Sequence, residues 1–116
     1  MCDLQQKPIV YEVRLVKESL KEWDNLNSKI KTIFIKKLRK VINNPFIDKN
    51  KLSKELSHCY KIKLNREGYR LVYEIREEKI VLIVWAVGKR ERSKAYADAA
   101  KRLQEISLED CTVMQL

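Results

Sequence analysis

Lys61, Lys63 and Arg70 carry the clearest chemical signal in this sequence. They lie in CYKIKLNREGYRLVYEI, residues 59–75, where two runs of alternating residues flank NREG. The pattern predicts a β-hairpin in which Gly68 supplies the positive φ of the turn, Leu64 faces Tyr69 and Lys63 faces Arg70. Alternation then sends Tyr60, Ile62, Leu64, Tyr69, Leu71 and Tyr73 to one face, and Lys61, Lys63 and Arg70 to the other. Like charges on neighbouring strands repel, by about a few tenths of a kcal/mol and upward. A polyanion facing them removes that cost. The whole chain points the same way: 25 Lys and Arg against 16 Asp and Glu give a net charge of +9 on 116 residues, the electrostatic footprint of a nucleic-acid binder.

Other chemistries find little support. The single histidine, His58, stands just before the first hairpin strand and is expected at a loop or rim, so no histidine pair is available for acid–base work. Cys2, Cys59 and Cys111 are odd in number and show no CxxC spacing, which suggests neither a disulfide framework nor a metal site. No Gly-rich phosphate loop is present, and no cofactor is expected. The opening MCDLQQKPIV lacks a basic segment followed by a long apolar run, and nothing approaches a membrane span. The expectation is a cytoplasmic protein with reduced thiols and no membrane partner.

These residues need elements to position them. With 45 % apolar and 35 % charged residues but only two Gly and two Pro, the chain reads as one globular domain over residues 1–116. Residues 9–16, IVYEVRLV, alternate and are rich in β-branched types, predicting a first strand. Leu20, Trp23 and Leu26 mark a short helix. A longer one starts at the Asn27-Ser28 cap pair, places Ile30, Ile33, Phe34, Leu38, Val41 and Ile42 on one stripe, and stops before Pro45. Its other face holds Lys29, Lys36, Lys37, Arg39 and Lys40. Residues 46–58 read as a loop with room for one helical turn, and IVLIVWAV, residues 80–87, as a central strand apolar on both faces. Ser93 is expected to cap a last helix carrying Tyr96, Ala99, Ala100, Leu103 and Ile106, followed by an ambiguous tail. The fold class is α+β: an antiparallel sheet of about four strands with the first strand at an edge, two N-terminal helices on one face, and a C-terminal helix.

LKEW at 20–23, CYKIKL at 59–64, GYRLVYEI at 68–75 and VGKRERSKAY at 87–96 together resemble the RelE family of bacterial toxins, in order and in spacing. The resemblance covers about residues 9–103 and leaves 104–116 as a tail. It implies a microbial-ribonuclease-like fold and a metal-independent endoribonuclease that cuts mRNA in the A site of the 70S ribosome. It also implies a RelB-type antitoxin as partner, with operator DNA bound only through that antitoxin. Carried over by motif, Lys61 and Lys63 of YKIK, Arg70 of GYR, Arg90 of GKRER and Tyr96 of RSKAY are the functional set. One departure stands out: where the family commonly has KLRG, this chain reads KLSKELSHCY, with Ser53 in place of an arginine.

Metal-free RNA cleavage uses the neighbouring 2′-OH as nucleophile and needs a proton acceptor, cations for the developing charge and a donor for the leaving 5′-oxygen. Lys61 or Tyr96 is the expected acceptor, Arg70 and Arg90 suit the phosphate, and Lys63 supports them or delivers a proton. Tyr96 also belongs to an apolar helical stripe, so its ring is expected to pack while its hydroxyl reaches the site. Trp85 is expected to pack, with base stacking open to it if it faces the cleft. Lys36, Lys37, Lys40, Lys49, Lys51, Lys54 and Arg92 are candidates for mRNA and ribosomal RNA phosphates. Two other classes stay open: a ParE-like toxin that shares the architecture but acts on DNA gyrase without cutting RNA, and a degenerate module that only binds nucleic acid or antitoxin. The full set Lys61, Lys63, Arg70, Arg90 and Tyr96 favours the nuclease.

Overall fold

A computed structural model describes residues 9–89, 94–105 and 111–116. The chain runs β1 (Glu12–Leu15), α1 (Lys17–Asp24), α2 (Ser28–Val41), β2 (Cys59–Leu64), β3 (Tyr69–Arg76), β4 (Val81–Lys89), α3 (Lys94–Glu105) and β5 (Thr112–Val113). The α+β class expected from the sequence is the one observed, as a five-stranded sheet in the order β2-β3-β4-β1-β5.

The hairpin forms in the expected register, with Leu64 opposite Tyr69 and Lys63 opposite Arg70, and Gly68 turns it at φ +76°. The first strand departs from expectation. It is not an edge: β1 pairs in parallel with β4 and, on its other side, antiparallel with β5. The tail thus joins the sheet, and Met114 N–H donates to Val13 O at 2.8 Å. Strand pattern specifies which side chains face the core, whereas the neighbour of a strand depends on crossovers and on distant segments. Ile9 and Val10, included in the expected strand, are 61 % and 50 % exposed and lie outside it.

Both N-terminal helices cover one face. α2 begins where Asn27 Oδ1 accepts from Ile30 N–H at 2.9 Å, and its buried Ile30, Phe34, Leu38 and Val41 repeat at helical spacing. They meet Tyr60, Ile62, Leu64, Leu71, Tyr73, Leu82 and Val84 of the sheet. Tyr60 and Tyr73 stack at 5.6 Å, and the buried Tyr73 hydroxyl donates to Pro45 O at 2.9 Å. Residues 46–58, expected as a loop with room for one helical turn, hold two 3-10 turns, Asp48–Asn50 and Lys54–Leu56.

α3 covers the opposite face, on Val72, Ile83, Trp85 and Ala86. The pairing of β3 with β4 slips between Val72 and Tyr73, so Val72 faces Ala86 while Tyr73 faces Val84. Trp85 and Ala86 consequently both point toward α3, and Val87 returns to the other face. Ser93 and Ile106, the expected cap and last apolar position of this helix, lie outside the described residues. Among the described residues no helix is long and apolar enough to cross a membrane.

Candidate active site

Arg70 organises the site. It sits on β3 between Lys63 of β2 and Gly88 of β4. Its Nη1 donates to Tyr96 Oη on α3 at 3.0 Å, and its guanidinium carbon lies 5.3 Å from the centre of the Tyr96 ring. The contact unites residues 26 positions apart. It exists because Ala95 and Ala99, both buried, let α3 lie close against the bulged part of β4. Tyr96 itself is half-buried, packing its ring while its hydroxyl meets Arg70, as the sequence suggested.

The two lysines flank this pair on the same sheet face. Lys63 is exposed and directly across from Arg70, where opposed Cβ atoms are about 5 Å apart. Lys61 is half-buried, pairs with Val72 and stands diagonal to Arg70, about 7 to 8 Å away by sheet geometry. Gly88 is a residue that sequence reasoning missed. The bulge brings it opposite Arg70, and a Cβ built on it would meet no atom within 4 Å, so the floor beside the guanidinium is open. Arg90 and Arg92 lie outside the described residues.

The expected phosphate-binding lysines divide. Lys37 and Lys40 of α2 and Lys49 of the first 3-10 turn line a groove of about 480 Å³ together with Lys63, Asn50 and Asn65. Lys36 is exposed on α2 outside that lining. Lys51 borders a different groove with His58, Glu77 and Glu78, and Lys54 is exposed in its turn. His58 is an exposed rim residue, and Trp85, 1 % exposed, donates from Nε1 to Glu74 Oε1 at 3.0 Å. Trp85 therefore packs and offers no face to a base.

Behind the site, Arg102 of α3 chelates Glu22 of α1, with Nη1 to Oε1 at 2.7 Å and Nη2 to Oε2 at 3.1 Å. Burial acts to lower the Arg102 pKa, but the hydrogen bond and charge of Glu22, with help from Asp98 and Glu18, outweigh it and hold the guanidinium above its usual value. Nothing in the sequence links residues 80 positions apart. Cys59 is inert for a different reason: burial, reinforced by the charge of Glu74 and opposed by Arg76, pushes its thiol up to about 12. Among the described residues no cluster of three His, Cys, Asp or Glu side chains is arranged to hold a metal ion.

Comparison with known proteins gives this arrangement a lineage. A family profile described as the ParE toxin of type II toxin–antitoxin system, parDE, matches residues 13–94. The mRNA interferase toxin RelE of Escherichia coli K12 is 45 % identical over 95 residues, covering 82 % of this chain and 99 % of that protein. The free structure of an E. coli RelE double arginine-to-alanine mutant superimposes with a TM-score of 0.74 at 44 % identity, covering 81 % of this chain and 98 % of that one. RelE in the intact E. coli RelBE toxin–antitoxin complex gives 0.67 at 45 % identity, covering 71 % and 99 %. With 45 % identity along nearly the whole of E. coli RelE and the same fold, the chain belongs to the RelE family of type II toxins.

Proposed function

We propose that this protein is a toxin of a type II toxin–antitoxin system that cleaves mRNA in the A site of the 70S ribosome, and that a RelB-type antitoxin neutralises it in the cytoplasm. The observation that carries the reading is the Arg70–Tyr96 hydrogen bond on a sheet face that also presents Lys61 and Lys63. E. coli RelE, similar along nearly its whole length, bears the name mRNA interferase, and it is seen with its antitoxin RelB.

In this mechanism the 2′-oxygen of one nucleotide attacks the adjacent phosphorus, and the bond to the 5′-oxygen of the next nucleotide breaks. Lys61 or Tyr96 takes the 2′-OH proton. Arg70 and Arg90 bind the non-bridging oxygens as negative charge develops on them, and Lys63 supports that charge or returns a proton to the leaving oxygen. Arg70 donates to Tyr96 Oη through Nη1, and the other N–H groups of its guanidinium remain to bind phosphate. The site has modest acid–base equipment, so holding the 2′-OH, phosphorus and 5′-oxygen in line supplies much of the acceleration. The ribosome provides that pose. The Lys37, Lys40, Lys49 groove and its neighbours Lys36, Lys51, Lys54 and Arg92 bind mRNA and ribosomal RNA phosphates. An acidic amphipathic antitoxin segment covers the same cations and displaces or pins α3, and operator DNA is reached only through that antitoxin.

The test is to add the protein to ribosomes stalled on a defined mRNA and map new 5′ ends. Cleavage in the A-site codon, slowed in Lys61→Ala and in Tyr96→Phe to a residual rate that single-turnover assays still read, is expected. Comparable cutting of free RNA would instead mean a ribosome-independent nuclease. An intact message combined with inhibited DNA gyrase would favour the second reading, which the ParE description of the matching profile makes specific. Replacing Lys37, Lys40 and Lys49 together by Gln is expected to weaken ribosome binding and to flatten its log–log salt dependence by about 2 to 3 units.

A further inference from the structure

The outer edge of β4 loses its strand partner early. β1 ends at Leu15, opposite Val84, and the chain turns directly into α1. Beyond that point the backbone of β4 needs other partners, because an unpaired N–H or C=O at a half-buried sheet edge is costly. Side chains provide them. Val84 O still accepts from Val16 N–H at 3.4 Å and also from Ser19 Oγ at 2.7 Å, after which Arg102 Nη1 donates to Trp85 O at 3.1 Å and Val87 N–H donates to Glu22 Oε1 at 3.2 Å. Glu22 and Arg102 are also joined to each other by two short bonds. The ion pair therefore stands in for the missing strand, and it does so at the junction of α1, β4 and α3.

Its position bears on the site described above. Val87 immediately precedes Gly88, the β4 residue opposite Arg70. Arg102 lies six residues beyond Tyr96 on α3, about 9 Å along the helix. One carboxylate thus grips both the strand beside Arg70 and the helix that carries Tyr96. The apolar seam that α3 contributes is thin, since its buried side chains are Ala95 and Ala99, with Tyr96, Ala100 and Leu103 half-buried beside them. Alanines permit close approach but resist sliding and rotation poorly, whereas a two-bond carboxylate–guanidinium fork is directional. Within α3, Asp98 orients the Arg102 side chain, with Oδ2 at 3.8 Å from Arg102 Nη2 and 3.2 Å from Lys94 Nζ.

We infer that Glu22 and Arg102 are positioning residues of this enzyme: their ion pair, completed by Trp85 O and Val87 N–H, sets the register of α3 on β4 and so aligns Tyr96 with Arg70. Neither residue touches RNA in this role. The inference rests on the functional reading of Tyr96 and Arg70 given above.

The experiment uses the full chain with Glu22→Gln, Arg102→Gln and the double variant, each also in a Tyr96→Phe background. Single-turnover cleavage on mRNA-programmed ribosomes gives a saturating rate and a half-saturating ribosome concentration. Each single variant is expected to lower the saturating rate about tenfold or more, with half-saturation moved by about twofold at most. The double variant should be no worse than the singles, and in the Tyr96→Phe background the added loss should vanish, because a positioning pair acts through the group it positions. An unchanged rate in Glu22→Gln, an undiminished loss in the Tyr96→Phe background, or a change confined to half-saturation would overturn the assignment. Hydrogen exchange on the same proteins supplies a second readout that needs no activity. Amides of α3 should exchange faster while those of α2 and β3 keep wild-type protection. Uniform acceleration, or outright unfolding, would make the pair a general stability element and sink the proposal. If Tyr96→Phe and Arg70→Ala by themselves cleave at the wild-type rate, the functional reading fails, and the exchange measurement still judges the clasp.

Discussion

The helix α2 brings large, fully buried side chains, Phe34 and Leu38, to its sheet face, whereas α3 covers the buried Val72 and Trp85 of the other face with Ala95 and Ala99, and its Tyr96 and Leu103 stay half-buried. Large side chains contribute about 1.5 to 3 kcal/mol each on burial, against about 0.8 kcal/mol for a methyl group. The first helix layer is accordingly held more strongly to the sheet than α3 is. On the α3 side, Arg70, Tyr96, Lys61 and Lys63 sit half-buried or exposed around a helix fastened by a few directional bonds. A strongly held face and a lightly held one let the same sheet be stable and still present a site that a partner can reach.

The contrast can be broken at its strong side first. Phe34→Ala should cost about 3 to 5 kcal/mol of unfolding free energy, a large part of what a domain of this size possesses, read from denaturant melts. Equal tolerance of this change and of changes under α3 would erase the distinction between faces. On the chemical side, Arg70→Ala is expected to lower single-turnover cleavage about 100-fold, equivalent to about 2.7 kcal/mol of barrier, while the denaturant midpoint stays near wild type. A loss of stability matching the loss of rate would assign Arg70 to the core instead. Overpacking the thin seam sharpens the point: Ala99→Leu should cost about 1 to 3 kcal/mol, with faster exchange confined to α3. The smallest effect belongs to neither face. Ile80, 43 % exposed at φ +55° in the turn before β4, is a β-branched residue in the left-handed region, so Ile80→Asn should stabilise the protein by about 1 kcal/mol and leave cleavage unchanged.

The hairpin register, the buried stripe of α2 and the doubly covered β4 were readable from period alone, because each is a local consequence of side-chain alternation or helical spacing. So was the gathering of Lys61, Lys63 and Arg70 on one face, since a hairpin brings its own strands together. Tyr96 was legible only through motif resemblance, for by spacing it is one more apolar position on a helix. What the tertiary structure alone decided is of another kind. The parallel seat of β1 between β4 and β5, the slip that puts Trp85 and Ala86 on one face and Gly88 opposite Arg70, and the Glu22–Arg102 ion pair all join segments far apart in the chain. A sequence states what each segment prefers to bury. Which distant segment supplies the partner is settled only when the competing burials and backbone hydrogen bonds are satisfied together, in one packing.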